Sequence, residues 1–89
     1  MIKRYVKKPV QVLAVQWLGG EKGIKELLSF GCDTVGVNGA GGIAFIKTPE
    51  GTMYAAPGDY IVKGAMGEFY PVKEAWFHKY YDEVKQQNL

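Results

Sequence analysis

Few side chains in this sequence could carry out covalent or proton-transfer chemistry. It contains one histidine, His78, and one cysteine, Cys32. Catalysis on a histidine base needs a nucleophile and an orienting group held beside the imidazole. Nothing in the sequence places either one there. Asp82 lies one helical repeat beyond His78, and a surface hydrogen bond is the plain reading of that spacing. A structural zinc site draws four ligands from Cys, His and carboxylates, and one Cys with one His falls short. No EF-hand, Walker or Rossmann pattern occurs. The remaining candidates are Asp59 and Glu68, two carboxylates that flank one short hairpin. A carboxylate pair can hydrolyse a glycosidic bond. The plainer role for Asp59, after Pro57 and Gly58, is to accept a backbone N–H and fix the turn. Glu68 after Gly67 reads as a solvated charge on the hairpin rim. The sequence therefore predicts no catalytic residue, no metal ligand and no cofactor.

Binding chemistry is better represented. A cleft that gathered Gln16, Trp17, Asp59, Glu68 and Tyr70 would offer hydrogen bonds beside aromatic surface, and these residues are the predicted ligand-binding set. Trp17, Tyr60, Tyr70 and Trp76 read mainly as core, although one or two left exposed would make a stacking platform. A second set, for an anion or a partner, has two parts. Lys3, Arg4, Lys7 and Lys8 place four positive charges before any acid. Asn38 and Gly39 open the stretch NGAGG, whose backbone N–H groups could cradle an anion. That stretch lacks the lysine and following helix of a phosphate loop, so a hairpin loop is the simpler reading. Removing the four N-terminal cations from the eleven Lys and Arg leaves seven against nine acids, a net of −2 for the rest of the chain. A mildly acidic body argues against nucleic acid as the partner. The basic residues also suit the edge of a first strand.

The elements that would position these groups can be read from pattern. Residues 2–8 alternate loosely, as a short edge strand does, until Pro9 interrupts. The run VQVLAVQW at 10–17 predicts a strand bounded by Gly19 and Gly20. Ile24, Leu27 and Leu28 form an apolar stripe, and the spacing predicts a helix over 21–30 that stops at Gly31. Gly23 costs the helix about 1 kcal/mol, which leaves a start nearer Gly23 open, and Glu21 pairs with Lys25. Beyond it come short strands at 34–37, 43–48, 52–55, 60–63 and 68–72. They are separated by turn signals at Asn38-Gly39, Pro49-Glu50-Gly51, Pro57-Gly58-Asp59 and 64–67. The Asn38-Gly39 pair is a hairpin signal of the type I′ kind, although Ala40, Gly41 and Gly42 extend the turn. Residues 73–81 predict a short helix with aromatic pairs at 76/80 and 77/81, and 82–84 a last short strand. The expected fold class is α+β: a small antiparallel β-meander or partly open barrel, one short helix at about 21–30 packed on it, and a short C-terminal helical turn.

Length and composition set the scale. The chain has 89 residues, 47% of them hydrophobic and 13% aromatic. That suits one domain over 1–89, with 85–89 a frayed tail. A domain of this size buries only about 60% of its unfolded surface, so a homo-oligomer is a reasonable expectation. A lone cysteine allows no intrachain disulfide, and Cys32 reads as a partly buried small side chain. No apolar run reaches the roughly 18 residues of a membrane helix, and no signal-peptide pattern opens the chain. A cytoplasmic protein without membrane contact is expected.

Two blocks carry a resemblance. YVKKPVQVLAVQW at 5–17 and PGDYIVKGAMGEFYPVKEAWFHKYY at 57–81 resemble small proteins encoded by bacteriophages and prophages. Those proteins open on Y-R-K-K-P-V…A-x-Q-W and continue with P-G-D-W-I…G-x-x-G-E-x-Y-P…F-x-x-T-Y. The two blocks cover somewhat under half of the chain. Tyr60 stands where Trp is usual, Val6 where Arg is common and Lys79 where Thr is common. The glycine-rich stretch 36–42 lies outside the resemblance. The group is mostly of unknown function, and the likeness names no catalyst. It implies a phage accessory protein that acts by binding a host macromolecule or a small anionic ligand, in the host-cell cytoplasm. The alternatives are an assembly protein forming a homo-oligomer, and a weak hydrolase or nucleotide-processing enzyme.

Overall fold

The computed structural model describes residues 1–32, 36–39 and 42–85. In chain order its elements are β1 Leu13–Gln16, α1 Gly20–Ser29, β2 Gly36–Val37, β3 Ala44–Thr48, β4 Gly51–Ala55, β5 Tyr60–Lys63, β6 Phe69–Val72 and α2 Glu74–Tyr80. The strands form two three-stranded antiparallel sheets, ordered β1-β5-β6 and β2-β3-β4. The fold is α+β with two short helices, and neither sheet closes into a barrel. β2, β3 and β4 make a meander. β5 and β6 make the hairpin expected around Gly64 and Gly67, and β1 pairs with the outer side of β5.

The core lies between the sheets and α1. Trp17, Leu27, Cys32, Ala44, Ile46, Ala55 and Ile61 are buried together, with Val15, Ile24, Phe30, Val37 and Phe69 packed around them. Trp17 is its largest member. Trp17 Nε1 donates to the Gly42 carbonyl at 2.7 Å, so the one polar atom of the ring is satisfied inside the core. α1 packs on this ring through Gly23, where an added Cβ would stand 2.8 Å from Trp17 Cζ3. Gly23 is needed because nothing larger fits, and the helix starts upstream of it despite the propensity cost. Phe30 and Phe69 meet edge to face at 5.5 Å and tie the end of α1 to β6.

Several expectations need correction. The strand predicted over 10–17 forms only at Leu13–Gln16, opposite a β5 of equal length. Residues 1–11 are exposed and take no regular structure, because no strand lies beside them to complete a ladder. Leu28 is exposed, so only Leu27 of the α1 stripe is fully buried. Cys32 is fully buried, deeper than expected. Neither Asn38 nor Gly39 has a positive φ, so the type I′ turn does not form. The loop is wider, closed by Asn38 N–H to the Ile43 carbonyl at 2.9 Å and Gly42 N–H to the Asn38 carbonyl at 3.2 Å. Residues 82–85 make no strand. Among the described residues the one ion pair joins Lys73 and Asp59, so Glu21 and Lys25 do not pair. The first part of the 34–37 strand and residues 86–89 of the tail lie outside the described residues.

Candidate functional site

The predicted ligand-binding residues separate into two places. Gln16, Trp17 and Asp59 form a partly buried structural knot. Trp17 N–H donates to the Asp59 carbonyl at 2.8 Å, and Gly58 N–H donates to the Trp17 carbonyl at 2.6 Å. This extends the β1–β5 ladder into the Pro57–Asp59 turn. Asp59 is not a rim carboxylate; its side chain is almost fully buried. Its Oδ2 accepts from Ala56 N–H at 3.0 Å and its Oδ1 from Glu74 N–H at 3.2 Å. Lys73 Nζ completes the set at 3.3 Å. Residue 73 begins α2 without a side-chain cap of its own, so Asp59 supplies the cap from a distant turn. Gln16 Nε2 donates to the Gly58 carbonyl at 3.0 Å and to Glu74 Oε2 at 3.2 Å. The positive φ of Gly58 and the 3.2 Å from its would-be Cβ to Glu74 Oε1 explain that glycine. These bonds hold β1, the turn and α2 together.

Glu68 and Tyr70 lie elsewhere, in a cleft of about 630 Å³. Its walls are Pro49, Glu50 and Met53 from the β3–β4 hairpin, Glu68 just before β6, Tyr70 and Pro71 from β6, and Tyr81 after α2. Lys7 from the N-terminal arm reaches its edge. The cleft exists because β6 packs across β3 and β4 without pairing to either. Glu68 Oε1 accepts from Met66 N–H at 3.0 Å, and its carboxylate sits where a Cβ on Gly64 would be, so it also braces the β5–β6 turn. Two carboxylates against one lysine make the cleft acidic. Lys3, Arg4 and Lys8 are exposed along the arm, and Asn38 and Gly39 take no part in the cleft lining. The predicted anion-binding set is therefore not assembled into one place; Lys7 alone of it meets the cleft.

Burial, a hydrogen bond with Tyr81 and the Glu68 charge push the Tyr70 phenol from 10.0 up to about 12. Tyr70 is thus a neutral hydrogen-bonding group near neutral pH, not a base. The folded chain holds this proton more tightly than the unfolded chain. The associated stability is fully present below pH 10 and is lost as pH rises toward about 12. A late phase of phenolate absorbance is expected on alkaline titration, absent in Tyr70→Phe. The variant should also lose less stability across that window. A variant that loses its amplitude from the main phase near pH 10, with no late phase in either protein, would show that Tyr70 is not held neutral.

A third surface was not foreseen as one. Trp76, grouped with the core by its size, is 57% exposed. α2 turns Phe77 inward, stacked on Tyr60 at 3.8 Å and on Tyr81 at 4.8 Å. That leaves Trp76 and Tyr80 on the neighbouring ridge, stacked on each other at 5.7 Å. Lys79 Nζ stands 5.9 Å from the Trp76 ring centre and 5.5 Å from that of Tyr80. Ala75, Trp76 and Lys79 line a shallow hollow of about 230 Å³. The aromatic pairs 76/80 and 77/81 form as the spacing predicts. Which pair faces solvent is decided by Tyr60, far away in sequence. His78 packs edge-on against Tyr60 at 5.4 Å, and α2 ends before Asp82, so the expected His78–Asp82 helix pair does not arise.

No protein-family model matches the chain, and neither a curated protein nor a solved structure matches it. Among the described residues no helix is long and apolar enough to cross a membrane.

Proposed function

We propose that this chain is a phage- or prophage-encoded accessory protein that binds a host macromolecule without catalysis, and that its contact surface is the Trp76–Lys79–Tyr80 ridge of α2. The observation that carries the reading is the pair of exposed, mutually stacked rings with a lysine over both. Tryptophan and tyrosine dominate binding energy at protein interfaces. Rings already stacked lose little freedom on docking. The hollow beside them is smaller than the roughly 300–1,000 Å³ of small-molecule sites, which favours a macromolecular surface. The larger cleft is acidic, which disfavours a small anion there. The phage origin rests on the two sequence blocks, and action in the host-cell cytoplasm belongs to the same proposal.

Native mass spectrometry of the protein purified from infected host cells is expected to retain a partner. Trp76→Ala should weaken that complex about 30-fold, the loss of about 2 kcal/mol typical of an interface hot spot. Both rings lie outside the core, so thermal unfolding should barely move. Unchanged affinity would remove the ridge from the proposal, and a chain recovered with nothing bound would remove the binding reading itself.

A second reading, a homo-oligomeric assembly protein, is favoured by the uncovered N-terminal arm, on which Met1, Ile2, Tyr5 and Val6 are all exposed.

A further inference from the structure

The arm and the cleft are complementary. Residues 1–8 carry Lys3, Arg4, Lys7 and Lys8 and no acid. The cleft carries Glu50 and Glu68, with Met53, Pro49 and Pro71 as apolar surface. In this structure the arm covers little of its own body. Lys7 touches the cleft edge, but Met1, Ile2, Tyr5 and Val6 lie beyond it in solvent. The radius of gyration is 14.7 Å, against about 12 Å for a compact chain of this length, as a projecting arm requires.

The cleft also has one receptive edge. Gly64 N–H donates to the Glu68 carbonyl at 2.8 Å. With the antiparallel alternation this makes 62/70 and 60/72 the bonded pairs of the β5–β6 ladder. Pro71 therefore turns its nitrogen to the outer side of β6, where it has no hydrogen to donate. β4 is the last strand of its sheet and contains no proline, so its outer row of backbone groups remains able to accept a strand. As an added strand the arm would put Ile2, Arg4, Val6 and Lys8 on one face and Lys3, Tyr5 and Lys7 on the other, so the first face carries both apolar and cationic groups.

We propose that two copies of this chain exchange arms, residues 1–8 of each docking in the cleft of the other and adding a strand along β4. Ile2 and Val6 cover the apolar wall formed with Met53, and Arg4 and Lys8 on the same face meet Glu50 and Glu68. The exchange is reciprocal, so each copy gives one arm and receives one, and a two-fold dimer closes without further copies. The proposal rests on the homo-oligomer reading and names its contact.

Sedimentation of the full chain over a range of concentration and salt tests it, together with carbodiimide coupling of lysines to carboxylates in a mixture of isotopically light and heavy chains. The expected result is a dimer that weakens with salt, with light–heavy links from Lys8 to Glu50 or Glu68. Ile2→Asp with Val6→Asp should raise the dimer dissociation constant at least tenfold. Glu50→Lys, on an exposed turn, should do the same without altering the fold. A dimer indifferent to both variants overturns arm exchange but leaves the homo-oligomer reading standing. A monomer at every concentration overturns both, as does coupling confined to light–light and heavy–heavy products from a monomer whose own arm fills the cleft.

Discussion

Replacing Asp59 with alanine is expected to lower stability by about 3 kcal/mol, from the loss of two charge-assisted hydrogen bonds to backbone donors. The carboxylate serves two segments that Gln16 also bridges, through the Gly58 carbonyl and the Glu74 carboxylate. Ala56 N–H belongs to the turn that leads into β5, and Glu74 N–H to the first turn of α2. Without Asp59 the turn loses its clamp, and α2 loses the only side-chain acceptor at its start among the described residues. The lysine contributes much less. The Lys73 side chain is 66% exposed, and a solvated ion pair is worth at most about 1 kcal/mol. Lys73→Ala should therefore be nearly silent, and Asp59→Asn, which keeps one acceptor oxygen, should fall between the two. Urea unfolding followed by far-ultraviolet circular dichroism measures all three. Equal losses in Asp59→Ala and Lys73→Ala would mean that the ion pair, not the capping, is what matters.

The same residue marks where sequence reading reached its limit. The Pro57-Gly58-Asp59 triplet announced a turn, and the carboxylate was correctly expected to accept a backbone N–H within it. Its second partner lies at Glu74, across β5 and β6, and no local pattern connects the two. The helix at Gly20–Ser29 was legible to within one residue at each end, because an apolar stripe and a following glycine are local signals. The strands from Ala44 to Val72 were legible for the same reason, each bracketed by its own turn residues. The arm was misread because alternation shows that a segment could be a strand, not that a partner strand lies beside it. Trp76 was misread because 76/80 and 77/81 have identical spacing, and only the stack of Phe77 on Tyr60 decides which pair is covered. The cleft was half legible. Glu68 and Tyr70 were singled out, but Glu50, Met53 and Tyr81 join them only through the packing of β6 across the other sheet.

Trp17→Ala is expected to cost about 3–5 kcal/mol, the range for deleting a large buried ring, and the more informative experiment concerns how this ring and Gly23 define each other. An added methyl at Gly23 would press on the six-membered part of the indole at 2.8 Å. The ring cannot swing away without breaking its bond from Nε1 to the Gly42 carbonyl. Gly23→Ala should therefore destabilise the native chain. Steric cost of about 1–3 kcal/mol outweighs the gain of about 1 kcal/mol in helix propensity. In a Trp17→Phe background the fused ring is gone and space opens beside α1. The methyl then occupies part of the cavity while the propensity gain remains, so the same substitution should become stabilising. The sign reversal corresponds to a coupling of about 2 kcal/mol between the two positions, read from urea unfolding of the four proteins in the cycle. A Gly23→Ala effect of the same sign and size in both backgrounds would show that α1 can shift off the ring, and that Trp17 does not fix where the helix lies on the sheets.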